Sequence, residues 1–235
     1  MSITYAKLTR AAAVAAILSG VLYIVIQFIH PDEDLATVTT DAWVVVAWLT
    51  VAMALLALVG ITGIYLRQVE PIGILGLVGY ILFGLFYLLP IAYSFGEALV
   101  LPVVAGEAPN FVENYLGLFN GEGTDGSLGA ALELIPTLSA LFYVLGGVLL
   151  GIGTFRARVL SRGGGMLLAV GAAAALLAGL VPHTVGRFAA VPVGLAFIWL
   201  GYSLWSNPGV WSNPGPGSPA LSESPRSQVS RSMGT

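Results

Sequence analysis

The chain has 235 residues, of which 57% are hydrophobic and only 9% are charged, and its formal net charge is −3. An ordinary soluble domain has about 25% charged residues, so this composition excludes a water-soluble fold. The chain has no cysteine, which excludes disulfide bonds and thiolate metal ligands. It also has no basic patch interleaved with aromatic residues, and we therefore expect no nucleic-acid partner.

Six apolar runs, taken in chain order, are long enough to cross a bilayer. A spanning helix needs about 20 mostly apolar residues because the hydrocarbon core is about 30 Å thick. The sequence therefore predicts an all-α fold, a polytopic membrane helix bundle of six transmembrane helices embedded in a lipid bilayer. The predicted spans are residues 11–29, 43–66, 72–92, 130–154, 165–181 and 188–205.

The positions of the basic residues predict the orientation of these spans. If the chain crosses six times, every lysine and arginine except Arg187 falls on one side of the membrane. The positive-inside rule makes that side cytoplasmic. We therefore predict that both termini are cytoplasmic.

The longest connection, residues 93–129, is predicted to lie outside. Its first part is still apolar, and bends at Pro90 and Gly96 would turn it into a helix along the outer interface. A second, amphipathic helix is predicted from Pro109 to a stop at Gly121, and it could act as a lid or simply seal the bundle. Residues 206–235 are rich in Ser, Pro and Gly, which predicts a disordered cytoplasmic tail.

Small residues at helical spacing indicate how the spans pack. Gly147 and Gly151 repeat in span four, Gly171 and Ala175 repeat in span five, and Gly60 begins a similar pair in span two. Such pairs let helix backbones approach closely in lipid. A weak likeness between residues 60–90 and 151–182 also indicates an internal repeat, a feature common in transporters.

Span one carries a polar stripe that defines a candidate site. Ser19, Tyr23, Gln27 and His30 lie at spacings of four, four and three, which places them on one helical face that should turn away from lipid. Other ionisable residues are predicted near the same outer rim. The candidate ligand-binding residues are Tyr23, Gln27, His30, Glu97, Glu133, His183 and Arg187.

Three interpretations of this rim remain open. Its residues lie at the water interface without a function, or they form a polar pocket in which Arg187 pairs with Glu133 or Glu97. In the third, His30 and His183 bind zinc, another divalent metal or haem iron, although the sequence leaves the cofactor unknown.

A family resemblance rests on three stretches of the chain. These are residues 30–43 from His30-Pro31 to Trp43, residues 106–121 with the acidic Gly106-Glu107-Ala108-Pro109, and residues 180–187 with Val181-Pro182-His183. They resemble an uncharacterised group of small six-span bacterial integral membrane proteins with no assigned activity. The resemblance implies a bacterial plasma membrane and implies no mechanism.

The functional expectation is accordingly broad. We expect non-enzymatic binding of a lipid, a small molecule or a membrane partner, which includes a possible homo-oligomer. The alternatives are a small-solute transporter and, third, a metal- or haem-dependent membrane enzyme with its site at the outer rim.

Overall fold

The described residues form helices joined by short loops, with no strand among them. The structure is a computed structural model that describes residues 3–120, 128–180 and 186–208, with the backbone alone at 119–120, 130–131 and 178–180. Helices α1 to α10 are, in chain order, Tyr5–Ile29, Leu35–Val38, Asp41–Leu66, Val69–Leu99, Leu101–Val104, Pro109–Asn120, Ala130–Glu133, Ile135–Ala157, Arg162–Ala174 and Val191–Ser206. Two 3₁₀ segments, Ala175–Leu180 and Arg187–Ala190, follow α9 and precede α10.

Within these ranges, five helical segments are long and apolar enough to cross a membrane. They are Tyr5–Ile29, Asp41–Arg67, Val69–Val104, Ile135–Ala157 and Arg187–Ser206. The region of the predicted fifth span is a shorter apolar helix, Arg162–Leu177. The all-helical class and the presence of several membrane-length helices are therefore confirmed.

The third predicted span, 72–92, is longer than expected. Helix α4 begins at Val69, is interrupted at Gly73, whose φ of 62° suits glycine, and then continues through Pro90 to Leu99. Pro90 is buried inside the helix. A proline that lacks its N–H is tolerated in a membrane helix when neighbouring groups satisfy the freed carbonyl. The predicted outer loop 93–129 therefore begins seven residues too early.

The fourth predicted span, 130–154, begins too early. The short helix α7 precedes α8, which starts at Ile135. Pro136 lies in the first turn of α8, where its missing N–H has no helical partner to lose. The predicted helix from Pro109 is present as α6. The predicted tail beyond residue 208 lies outside the described residues.

The long helices pack in a closed ring in the order α1, α3, α4, α8, α9 and α10, with α10 against α1. The guanidinium carbon of Arg10 lies 5.5 Å from the ring centroid of Trp205, and Nε of Arg67 donates to the carbonyl oxygen of Asn207 at 2.8 Å. The start of α1, the α3–α4 turn and the end of α10 therefore meet at one end of the ring. We call it the basic end, and the opposite end is the cavity end.

Close backbone contacts hold neighbouring helices together. A side chain at Gly60 would collide with Ala16, and one at Gly151 would collide with the backbone of Ala169. The interior of the ring also holds an aromatic cluster, in which the ring centroid of Phe83 lies 5.1 Å from that of Tyr87 and 6.0 Å from that of Phe197. Small residues between helices and large rings in the middle leave this part of the bundle filled.

A second apolar cluster covers the cavity end. The short helices α2, α5 and α6 pack there against the start of α3. Trp43, Leu101 and Val112 are buried between them. On α6, Val112 and Leu116 are buried and Phe111 is exposed, so one face of this helix packs into the cluster.

Candidate functional site

A cavity of about 270 Å³ opens at the cavity end between α1, α3 and α4. Helix α6 and the 3₁₀ segment before α10 each contribute one residue to its lining. The lining is Tyr23, Ile26, Gln27, His30, Glu33, Trp43, Val46, Ala47, Thr50, Met53, Phe86, Pro90, Tyr93, Ser94, Glu97, Leu116 and Arg187. Polar and aromatic side chains from separate parts of the chain thus surround one space.

The polar stripe of α1 faces this interior. Ser19 is buried below the cavity, and its hydroxyl donates to the carbonyl oxygen of Met53 on α3 at 3.1 Å. Tyr23 and Gln27 line the cavity, and Nε2 of Gln27 donates to the carbonyl oxygen of Tyr23 at 2.9 Å. The hydroxyl group of Tyr23 also hydrogen-bonds to that of Tyr143 on α8. The stripe therefore joins α1 to two other helices while keeping one amide in the cavity.

His30 completes the stripe at the end of α1. Its Nδ1 lies 2.8 Å from the carbonyl oxygen of Pro31, and because a carbonyl oxygen only accepts, Nδ1 carries the proton. In the neutral ring Nε2 is then an acceptor. The ring centroid of His30 lies 6.1 Å from that of Trp43 in an edge-on arrangement.

Two carboxyl groups share the cavity. Glu33 follows α1, and Glu97 lies near the end of α4, where its carboxyl group hydrogen-bonds to the hydroxyl group of Ser94. The two carboxyl groups are close enough to repel each other when both are ionised. Nε1 of Trp43 donates to the backbone carbonyl oxygen of Glu97 at 3.0 Å, which fixes the end of α4 against α3.

One further titratable group lies beside the cavity, outside the membrane-length helices. Burial raises the pKa of Tyr115 on α6 above its usual range, and the nearby carboxylate of Glu97 raises it further. The phenol is therefore neutral at physiological pH and can donate a hydrogen bond.

Arg187 supplies the positive charge of the site. Its Nη1 donates to the backbone carbonyl oxygen of His30 at 3.3 Å, so it joins the start of the last 3₁₀ segment to the end of α1. Its Nε is buried and has no hydrogen-bond partner in the part of the chain that the structure describes. A buried guanidinium N–H without a partner is costly, and a ligand or water with an acceptor atom would relieve that cost.

Five of the seven candidate residues therefore line one cavity. They are Tyr23, Gln27, His30, Glu97 and Arg187. Glu133 is exposed on α7 and is not among the residues that line the cavity. The reason is that α7 is a separate helix outside the ring rather than the first turn of α8.

The metal hypothesis depends on a residue that the structure does not describe. His183 lies in the gap 181–185, so its distance from His30 stays untested. Among residues 3–120, 128–180 and 186–208, no group of three or more His, Asp or Glu side chains is placed to hold one metal ion.

A second cavity of about 290 Å³ adjoins the first. Tyr23, Phe86, Tyr93 and Arg187 line both spaces and form the shared wall. The rest of its lining is mostly small and apolar and comprises Pro136, Ser139, Ala140, Tyr143, Ala175, Gly186, Ala189 and Ala190. A polar space and an apolar space therefore lie side by side across the bundle.

The sequence interpretation missed several lining residues. Phe86, Pro90 and Tyr93 share one face of α4 with the predicted residue Glu97, and this signal was hidden because the helix was expected to end at residue 92. Glu33 and Trp43 reach the cavity through the fold of the α1–α3 connection, for which the sequence has no comparable periodic signal.

Fold and site together define the class: an all-helical protein with the long apolar helices of a membrane protein and a polar cavity at one end. Comparison with known protein families finds none that matches the chain, and comparisons with curated proteins and with solved structures find no significant match. The function proposed for this chain therefore depends on its sequence and on the geometry of the site.

Proposed function

We propose that the chain crosses a bacterial plasma membrane six times, with both termini in the cytoplasm. Five of these crossings are the membrane-length segments, and the remaining one is α9 with its 3₁₀ extension. Its 13 α-helical residues and 6 residues of 3₁₀ helix span about 31 Å, close to the roughly 30 Å of a hydrocarbon core. The contact between Arg10 and Trp205 supports an even number of crossings, since it places the start of α1 and the end of α10 at the same end of the ring.

Single cysteines test this topology directly because the chain has none of its own. We expect a membrane-impermeant maleimide to label Thr39→Cys in intact cells, and to label Arg158→Cys and Asn207→Cys only after permeabilisation. If α9 does not cross, Asn207→Cys will be labelled from the same side as Thr39→Cys. Labelling of both Arg158→Cys and Asn207→Cys in intact cells would contradict the orientation.

Within this topology the protein binds a small molecule in the polar cavity, without changing it chemically. The observation that carries this proposal is the convergence of Tyr23, Gln27, Glu97 and Arg187 on one cavity. Polar groups withdrawn from water are costly unless they are paired, so in a packed bundle such a group normally faces a partner. The cavity of about 270 Å³ is near the lower limit of ligand pockets, roughly 300 Å³, and larger than a few buried waters need.

Direct extraction of the protein from its own membrane into polymer-bounded lipid discs tests ligand binding. We expect mass spectrometry of the released small molecules to find a compound at about one per chain. The compound should be lost in Ala47→Phe, which fills the cavity from α3, and retained in Ala42→Phe, a control at an exposed position before it. Identical small-molecule contents in the wild type and Ala47→Phe would contradict the proposal.

Transport is the second candidate, and the depth of the cavity favours it. The cavity reaches Met53 on α3, which begins at Asp41. Met53 lies about 18 Å from the start of α3 along the helix axis, which is about half the thickness of a bilayer core. Transporters hold their substrates near the middle of the bilayer. Transport predicts that Gln27→Leu abolishes uptake of the bound compound into proteoliposomes while the amount of inserted protein stays the same.

A further inference from the structure

The ligand's chemical class can be inferred from the charges and rings of the cavity, provided that the proposed function holds. Glu33 and Glu97 contribute two carboxyl groups and Arg187 contributes one guanidinium. The hydrogen bond from Nδ1 of His30 is satisfied by the neutral imidazole. With this imidazole neutral and both carboxyl groups ionised, the lining has one more negative than positive charge, and a bound cation favours the ionised form of both carboxyl groups.

Aromatic rings supplement the carboxylates. Tyr23, Trp43, Phe86 and Tyr93 all line the cavity. Rings of this kind attract ammonium groups through their negative faces, and several together form the usual binding site for substituted ammonium ions. A bare metal ion fits less well, because about 270 Å³ exceeds what one ion needs and the described residues contain no group of three metal ligands.

The second cavity indicates what the cation carries. It adjoins the first across the wall of Tyr23, Phe86 and Tyr93, and the residues that it adds are mostly alanine and proline. The hydroxyl group of Tyr143 in its lining is already hydrogen-bonded to Tyr23. Apolar surface of this kind gains free energy by covering hydrocarbon, in proportion to the area buried.

We infer that the ligand is an amphipathic organic cation, with its ammonium group in the polar cavity and its apolar part in the adjoining cavity. Glu33 and Glu97 supply the countercharge, and the shared aromatic wall holds the junction between the two parts. Arg187 lines both cavities, and its buried Nε can donate to an acceptor atom of the ligand.

Three probes of similar size test this inference on full-length protein in lipid nanodiscs, with binding to empty nanodiscs subtracted. The probes are octyltrimethylammonium, octanoate and octanol. We expect saturable binding of octyltrimethylammonium at one per chain and no saturable binding of the other two. Ethyltrimethylammonium, which has the head group alone, should compete at least tenfold more weakly, since it leaves the second cavity empty.

Isosteric variants separate the carboxylates from general effects on the fold. Glu97→Gln and Glu33→Gln should each weaken octyltrimethylammonium binding about tenfold or more, as expected for the loss of a charged partner. Glu107→Gln, at an exposed position after α5, should leave binding unchanged. Ala190→Phe, which fills the second cavity, should reduce the advantage of the octyl probe over the ethyl probe.

The outcomes distinguish this inference from the proposed function. If octanoate or octanol binds saturably and Ala47→Phe abolishes that binding, the cavity is a ligand site and the cationic class is wrong. Absence of saturable octyltrimethylammonium binding, or equal affinity in the wild type and both glutamine variants, also overturns the inference. If Ala190→Phe leaves the ratio of the affinities for octyltrimethylammonium and ethyltrimethylammonium unchanged, the apolar part of the ligand does not occupy the second cavity.

Discussion

The two ends of the ring bury their polar groups in different ways. At the basic end they pair with each other: Nε2 of Gln68 donates to the hydroxyl oxygen of Thr154 at 2.8 Å, and both residues are almost fully buried. The backbone N–H of Ser161 likewise donates to the hydroxyl oxygen of Ser203 at 2.9 Å. At the cavity end some polar side chains are also bonded to one another, but they surround a space instead of filling it.

The contrast separates polar residues that hold the fold together from polar residues that are placed for a ligand. A buried side chain bonded to another helix stabilises the bundle, and its removal should lower the free energy of unfolding. A side chain such as Gln27, which bonds to the backbone of its own helix and faces the cavity, contributes little to helix association. Substitutions of polar side chains at the two ends should therefore differ in their effect on the free energy of unfolding.

The largest difference is expected between two glycines. A Cβ at Gly146 would collide with the backbone of Phe83 on α4, whereas a Cβ at Gly96 meets no atom within 4 Å. We expect Gly146→Ala to lower the free energy of unfolding by about 1–3 kcal/mol through overpacking. Gly96→Ala should raise it by up to about 1 kcal/mol, since alanine is the better helix former.

Unfolding of both variants in mild detergent, titrated with dodecyl sulfate, measures this difference. Equal stability of the two variants would show that α4 and α8 do not approach as closely as the contact at Gly146 requires.

An intermediate effect is expected at the buried pair of the basic end. Thr154→Val removes the acceptor of Gln68, whose Oε1 is also buried and has no hydrogen-bond partner among the described residues. We expect the free energy of unfolding to fall by about 1 kcal/mol. This lies between the cost of an unpaired buried polar group in a water-soluble protein and the strength of a hydrogen bond between membrane helices. The control is Gln27→Leu at the cavity end, for which we expect a loss of less than about 0.5 kcal/mol.

A double-mutant cycle with Gln68→Leu isolates the interaction between the two side chains. The double variant should be no less stable than Thr154→Val alone, because both buried polar groups are then gone. Additive losses would mean that the two side chains do not interact.

The smallest effect is expected where the cavity wall is held by a single hydrogen bond. Trp43→Phe removes the indole N–H that donates to the carbonyl oxygen of Glu97. The loss of stability should be about 0.5 kcal/mol, as is typical of interhelical hydrogen bonds in membranes. The affinity for octyltrimethylammonium should fall as well, since the end of α4 that carries Glu97 becomes less fixed. An unchanged affinity for octyltrimethylammonium would show that the indole N–H of Trp43 does not contribute to ligand binding.

Much of the fold was predictable because it depends on local sequence. Apolar runs of sufficient length mark the membrane-length helices whatever their neighbours are, and helical geometry alone places Tyr23, Gln27 and His30 on one face. The three indeed line the same cavity. Six crossings and the cytoplasmic termini stay predictions, because the helix Arg162–Leu177 is shorter than the five membrane-length segments.

The errors arose where a local signal was overridden by packing. Pro90 and Gly96 indicate bends into an interfacial helix, yet α4 continues through both residues to Leu99 and packs along α3. The order of helices around the ring is a long-range property, and without it the convergence of Glu33, Glu97 and Arg187 could not be derived. Glu133 shows the reverse error, since proximity to the rim in sequence did not place it in the cavity.

The ring closes on itself, because α1 packs against α10 as well as against α3. The first and last helices are therefore neighbours, and the residues Tyr5 and Asn207 lie at the same end of the bundle. A circularly permuted gene that connects Asn207 to Tyr5 and opens the chain at another loop would preserve the helices against which each helix packs. The order in which the six ring helices are synthesised is thus separable from the architecture that they build.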